Sequence, residues 1–199
     1  MEHKTWCLAT WLLVFLWFPL VLEAVGLTEE QYQLLKTDIT VTHASEFSQA
    51  VADNNDAFIS NAYNQLASPV FWVWVSSLTD KGIYENVSPD GTVWNWTTFI
   101  QQSVQERDAW SVMLRSGVIN PSLSQTRGAF TKIFSGTGAP LAQQQFLLSL
   151  SRRKALRIEA LMMISGSGDG STATPANMAY EGIIGPLDIA HCLRGVPIP

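Results

Sequence analysis

Side chains able to do chemistry are sparse in this sequence and, with one exception, scattered. The exception is Arg152-Arg153-Lys154, with Arg157 one turn further on. Read as helix, residues 153, 154 and 157 form one patch with 152 beside it. Such a patch suits DNA phosphates or an acidic protein surface, and its plain alternative is a solvated helix face. His43 and His191 are far apart in sequence, so neither is read as a metal ligand or general base. Glu106 and Asp108 stand two apart on a helix and point in different directions, which rules out a carboxylate pair for acid–base work on that spacing. Gly166, Gly168 and Gly170 follow a helix instead of preceding one, so no phosphate cradle is formed. Asp169 among them lacks the later ligands of a calcium loop. No serine occupies a nucleophile elbow. The two cysteines, Cys7 and Cys192, have no zinc-type spacing with histidine. No catalytic residue, cofactor or metal is expected, and the protein is read as a non-enzyme.

Aromatic residues give the second concentration. Four of the five tryptophans beyond the first 26 residues are Trp72, Trp74, Trp94 and Trp96. Rings grouped in this way either fill the core of a small sheet or form a contact and stacking platform.

The length of 199 residues fits one domain, or one domain with an appendage, and 47% hydrophobic residues are enough for a core without disulfides. Charge is unevenly divided. Residues 27–108 hold three bases and eleven acids, whereas residues 109–199 hold eight bases and four acids. Opposed halves of this kind suit head-to-tail self-association or contact with a polyanion; solvated acidic and basic faces are the plain alternative.

Residues 1–26 read as a hydrophobic leader. Thr5 to Leu22 carries no formal charge, Lys4 precedes it, and Leu22-Glu23-Ala24 offers a cleavage site. The run is also near the lower limit of a membrane span, with Pro19 inside it. A start at Val25 or Leu27 would instead make the leader an upstream artefact. Entry into a eukaryotic secretory route would make Asn86-Val87-Ser88 and Asn95-Trp96-Thr97 glycosylation sequons.

The elements that must position these residues are short. Thr28 and Gln31 form a capping box for a helix burying Tyr32, Leu34 and Leu35. Thr40 to Ala44 suits a connector. Helical spacing then puts Phe47, Ala50 and Val51 on one side, and Phe58, Ala62 and Leu66 on another after the break at Asp53-Asn54-Asn55. Residues 70–75 are the best strand, apolar on both faces. Ser88-Pro89-Asp90-Gly91 is a turn, and Val93 to Trp96 alternates after it. Thr98 with Gln101 predicts a cap for a long helix to Ser116, with a buried stripe of Ile100, Val104, Trp110 and Leu114 and Gly117 at its end. Asn120 and Pro121 open another helix with Leu123, Phe130 and Phe134 inward, and Gly128 in it implies close approach by a neighbouring backbone. Pro140 opens a last long helix carrying Phe146, Leu147, Leu150, Ile158, Leu161 and Met162. Residues 165–174 read as a Gly/Ser linker, 178–184 as an extended piece able to pair with 70–75, and Pro186 to Gly195 as a final helix.

Several phrases occur in one order: Phe71-Trp72-Val73-Trp74, Gln105-Glu106-Arg107-Asp108-Ala109-Trp110, Ile119-Asn120-Pro121-Ser122-Leu123, Ile133-Phe134-Ser135-Gly136 and Arg152-Arg153-Lys154-Ala155-Leu156-Arg157. With Leu27-Thr28-Glu29-Glu30-Gln31 before them and Tyr180-Glu181-Gly182 after, they resemble a family of small, largely uncharacterised proteins of tailed bacteriophages and prophages. The resemblance spans about residues 27–195. It implies a virion-associated structural or assembly role in the head–tail region and supplies no catalytic residue. The chain departs from that pattern in its leader and in its ending, Gly195-Val196-Pro197-Ile198-Pro199.

The sequence therefore predicts an α+β domain over residues 27–199, mainly α, with several short helices around a small antiparallel sheet from residues near 70–75, 93–96 and 178–184. The expected function is a phage structural or assembly protein acting through contacts with other virion proteins or with itself, in the virion or host cytoplasm. A secreted or membrane-tethered lysis or envelope accessory is the alternative if the leader is retained, and an enzyme with a site built from scattered residues is the third.

Overall fold

The computed structural model describes residues 26–171 and 174–198. The leader assigned to residues 1–26, together with Cys7, therefore lies almost wholly outside the described residues. Among the described residues, no helix is long and apolar enough to cross a membrane.

The fold is mainly helical, with short helices and small two-stranded antiparallel sheets. Helix α1 (Glu29–Thr37) opens with the expected capping box of Thr28 and Gln31. It runs into a π-helical turn, Asp38–Thr42, where the sequence suggested a connector. Helices α2 (Ala44–Ala52) and α3 (Asp56–Tyr63) follow, the second capped by Asn55. The buried face of α3 is Ile59, Ser60 and Tyr63, so the stripe of Phe58, Ala62 and Leu66 is one residue out of phase; Phe58 and Leu66 are exposed. Leu34 is exposed as well.

Strand β1 (Trp72–Trp74) is followed by β2 (Leu78–Thr79), α4 (Asp80–Glu85), α5 (Trp96–Ile100) and α6 (Val104–Met113). Residues 93–96 form no strand: Trp96 begins α5, capped by Asn95. The long helix expected from Thr98 is two helices. Ser103 and Glu106 form the capping box of the second, so Ile100 and Val104 sit at the break and face solvent, while Trp110 is buried. Strand β3 (Val118–Ile119) pairs with β2. Helix α7 (Ser124–Ile133) starts beyond Asn120, whose carboxamide instead accepts from Ser122 N–H at 2.9 Å. Phe130 and Phe134 are buried as expected and Leu123 is exposed; no neighbour lies within 4 Å of a Cβ placed on Gly128.

Helix α8 (Ala139–Leu150) ends before the basic segment, which forms β4 (Arg152–Lys154) and then α9 (Arg157–Leu161). This corrects both the single helix through Met162 and the helical patch. β4 is the antiparallel partner of β1, with Val73 opposite Arg153. The other edge of β1 receives Ala176, whose N–H donates to Trp72 O and whose carbonyl accepts from Trp74 N–H. Residues 178–184 do not extend that sheet. β5 (Met163–Ser165) pairs with β6 (Asn177–Met178), and α10 (Pro186–Arg194) closes at Gly195 in the left-handed conformation.

The segment 165–174 is packed, not a free linker, at the residues described. Gly168 O accepts from Trp72 N–H at 2.9 Å, and a Cβ on Gly168 would lie 2.4 Å from the Phe71 ring. Only glycine permits that approach on a backbone with φ of +64°.

Two hydrophobic centres result. One joins α1, α2, α3, α9 and α10 around Phe47, Tyr63, Ile158 and Ile189. The other gathers Trp94, Trp110, Phe130, Phe134 and Phe146 from residues 78–147. Val73, Ala155 and Ala176 form a small seam at the β1–β4 pair.

Candidate functional site

The four basic residues do not share a surface. Arg152 is nearly buried, lies over the Trp72 ring at 4.5 Å, and pairs with Asp90 at 2.8 Å and with Gly170 O. Arg153 grips both oxygens of Glu159, at 2.7 and 2.8 Å, and reaches Glu181 at 2.9 Å. Arg157 binds both oxygens of Glu46, at 2.7 and 2.9 Å. Lys154 alone among the four is exposed. Fork-shaped guanidinium–carboxylate pairs of this kind are structural ties. As a group the four cannot present a continuous cationic face.

The tryptophans also separate. Trp72 and Trp74 lie on β1, with Arg127 over Trp74 at 4.3 Å. Trp94 is buried, stacked on Trp110 at 5.2 Å and edge-on to Phe134 at 5.8 Å. Trp96 is half exposed and lies against Tyr84 at 4.9 Å. Three of the four thus act as core or seam, and only Trp96 offers a broad open face. Asn86 and Asn95 are both exposed; Asn95 Oδ1 is engaged as the cap of α5, accepting from Thr98 N–H at 3.0 Å.

The structure assembles a cleft that the sequence did not reveal. It has a volume of about 570 Å³ and lies among the π-helical turn, α2, the segment after α3, and α9. The π-helical register is what builds its polar end. His43 N–H donates to Asp38 O at 2.8 Å across five residues, which brings the two side chains together. His43 Nε2 is 3.6 Å from Asp38 Oδ1, and Nδ1 is 3.5 Å from Glu46 Oε2. Tyr63 donates its hydroxyl to Asp38 Oδ2 at 2.6 Å, and burial, reinforced by that carboxylate, raises the phenol well above its ordinary pKa. Arg157 holds Glu46 below the usual carboxylate range by direct hydrogen bonding. The guanidinium itself lies over the rings of Tyr63, at 4.7 Å, and Phe47, at 5.1 Å. Leu66, Pro69, Phe71 and Leu161 also line the cleft.

No family model, no curated protein and no solved structure matches this chain. Its site must be read from its own residues.

Asp38, His43, Glu46, Tyr63 and Arg157 are the residues that sequence reasoning missed as a set, although it names His43 alone and Arg157 as part of the basic patch. A pairing five residues apart belongs to neither helical nor strand periodicity, so pattern reading passes over it. Arg157 reaches Glu46 from 111 residues away, which nothing local announces. Among the described residues, no group of three His, Cys, Asp or Glu side chains is placed to hold a metal ion. His191 stands elsewhere, packed on Tyr32 at 4.5 Å, with Nδ1 2.8 Å from Val196 O.

Proposed function

We propose that this protein works by contact with another protein, through the outer face of α5 and α6. One observation carries the proposal: Val93, Trp96, Ile100, Val104 and Val112 are each more than half exposed. Trp96 and Ile100 are one turn apart on α5, and Val104 and Val112 are two turns apart on α6. Arg107 donates to Ile100 O at 2.9 Å, tying the first turns of α6 back to the end of α5. Exposed apolar side chains grouped within residues 93–112, with an aromatic among them, have the composition of a contact surface.

The ordered phrases of the sequence supply the class of partner. Their resemblance to tailed-phage proteins supports neighbouring virion proteins, in the head–tail region, as what this face meets. The basic residues are not offered as a DNA contact, because three of them are held in ion pairs. The test is mass spectrometry of gradient-purified particles and assembly intermediates from the source strain after induction. The chain is expected in one or the other, and Trp96→Asp with Ile100→Asp is expected to remove it while leaving the soluble protein folded. Absence of the native chain from both fractions would sink the proposal.

The uncharged run from Thr5 to Leu22 favours a second reading, an exported or membrane-tethered accessory. Cell fractionation with N-terminal sequencing separates the two: processing near Ala24 with recovery outside the cytoplasm supports export, and a cytoplasmic chain beginning at Val25 or Leu27 supports the virion role.

A further inference from the structure

We infer that the cleft between the π-helical turn and α9 binds an aliphatic amine, its ammonium at Asp38 and His43 and its hydrocarbon along Leu66, Pro69 and Phe71. This goes beyond the contact function and rests on different residues. The cleft volume of about 570 Å³ is within the usual range for small-molecule sites, roughly 300–1,000 Å³. Charge then selects the ligand. Arg157 is matched by Glu46 through two hydrogen bonds, so the guanidinium is not free for an anion. Asp38, among the described residues, has no cation at hydrogen-bonding distance. Its Oδ2 accepts from a neutral phenol, and its Oδ1 faces His43 Nε2 across 3.6 Å, too long for a hydrogen bond.

An ammonium group fits that gap in chemistry. It donates to Asp38 Oδ1 beside the His43 ring, and it brings a positive charge into direct contact with Asp38, which Arg157 reaches only at longer range. The alkyl chain covers the Leu66 side chain, which is 56% exposed in the free protein, and the Pro69 and Phe71 surfaces beside it. A carboxylate ligand would instead meet Asp38 and Glu46 with like charge. A neutral alcohol would gain the wall but not the ion pair.

Titration calorimetry of the full chain with hexylammonium, hexanol and hexanoate tests the assignment. Hexylammonium is expected to bind saturably and at least tenfold more tightly than hexanol, with no binding of hexanoate. Asp38→Asn keeps an acceptor for Tyr63 and is expected to weaken the amine at least tenfold. Glu46→Gln releases Arg157 and is expected to lower amine affinity while hexanoate binding appears. Amide and ring resonances of the native chain provide a measurement free of variants: shifts on adding hexylammonium should concentrate at residues 38–46, 63–71 and 157–161. Equal binding of the three ligands, no saturable amine binding, an unaltered preference in Glu46→Gln, or shifts centred elsewhere would each overturn it.

Discussion

Glu159 is almost wholly buried, yet its carboxylate accepts four hydrogen bonds: two from Arg153, one from Leu156 N–H at 2.9 Å and one from Gly182 N–H at 3.0 Å. Burial alone would push its pKa up, but Arg153 and the two amides together outweigh burial and hold it below the ordinary value. A carboxyl whose folded pKa is depressed stabilises the fold above its unfolded pKa, and that contribution disappears as pH falls through the folded value. Arg153→Ala leaves Glu159 buried with half its partners, and the expected loss is about 3 kcal/mol near pH 7. Urea unfolding measures it. The loss should shrink as pH falls below the ordinary carboxylate range, because Glu159 then protonates in both chains; a loss constant from pH 7 to pH 3 would refute the assignment. In the sequence, Arg153 looked equivalent to its basic neighbours. Strand alternation sends it to the opposite side from Arg152 and Lys154, so the three reach different surroundings.

At the scale of elements, several boundaries were legible from a capping side chain, a proline or a glycine. Thr28 with Gln31, the break at Asn55, Pro140 in the first turn of α8, and Pro186 with Gly195 all appear where their chemistry puts them. Two features were not legible. The apolar spacing from Phe146 to Met162 continues through β4, so only pairing with β1, about 80 residues earlier, reveals a strand. Between residues 95 and 106 the sequence reading placed a single cap, at Thr98, and so fused two helices. Thr98 is itself buried inside α5, while Asn95 and Ser103 accept from the third residue of each helix. Asn95→Ala and Ser103→Ala are therefore each expected to cost about 1 kcal/mol, the usual worth of such a cap. Thermal unfolding of the two variants beside Thr98→Val checks this. Asp38 and His43 illustrate the same limit: the residues are visible, but no local periodicity announces the π-helical turn that joins them, in which Ile39 is buried in the first core.

Over the whole molecule, the division of charge along the chain has an internal use. Arg152 meets Asp90, Arg157 meets Glu46 and Arg194 meets Asp56, so three bases from the later half tie down three acids from the earlier half. Formal charge showed the imbalance, and folding shows where much of it is neutralised. These ties cross between segments that also build the two hydrophobic centres, and the β1–β4 seam joins the centres through backbone hydrogen bonds. Unfolding should therefore be shared between them. A direct test uses Ile189, fully buried in the first centre on α10. Ile189→Ala removes packing worth about 2–4 kcal/mol. The described tryptophans all lie outside that centre, on β1, at α5 or in the second centre. If the centres are coupled, the midpoint seen by tryptophan fluorescence falls together with the midpoint seen by circular dichroism, even though the deleted atoms touch no tryptophan core. Were fluorescence to keep its native midpoint while circular dichroism lost part of its signal early, the centres would be unfolding separately and the seam would not transmit stability.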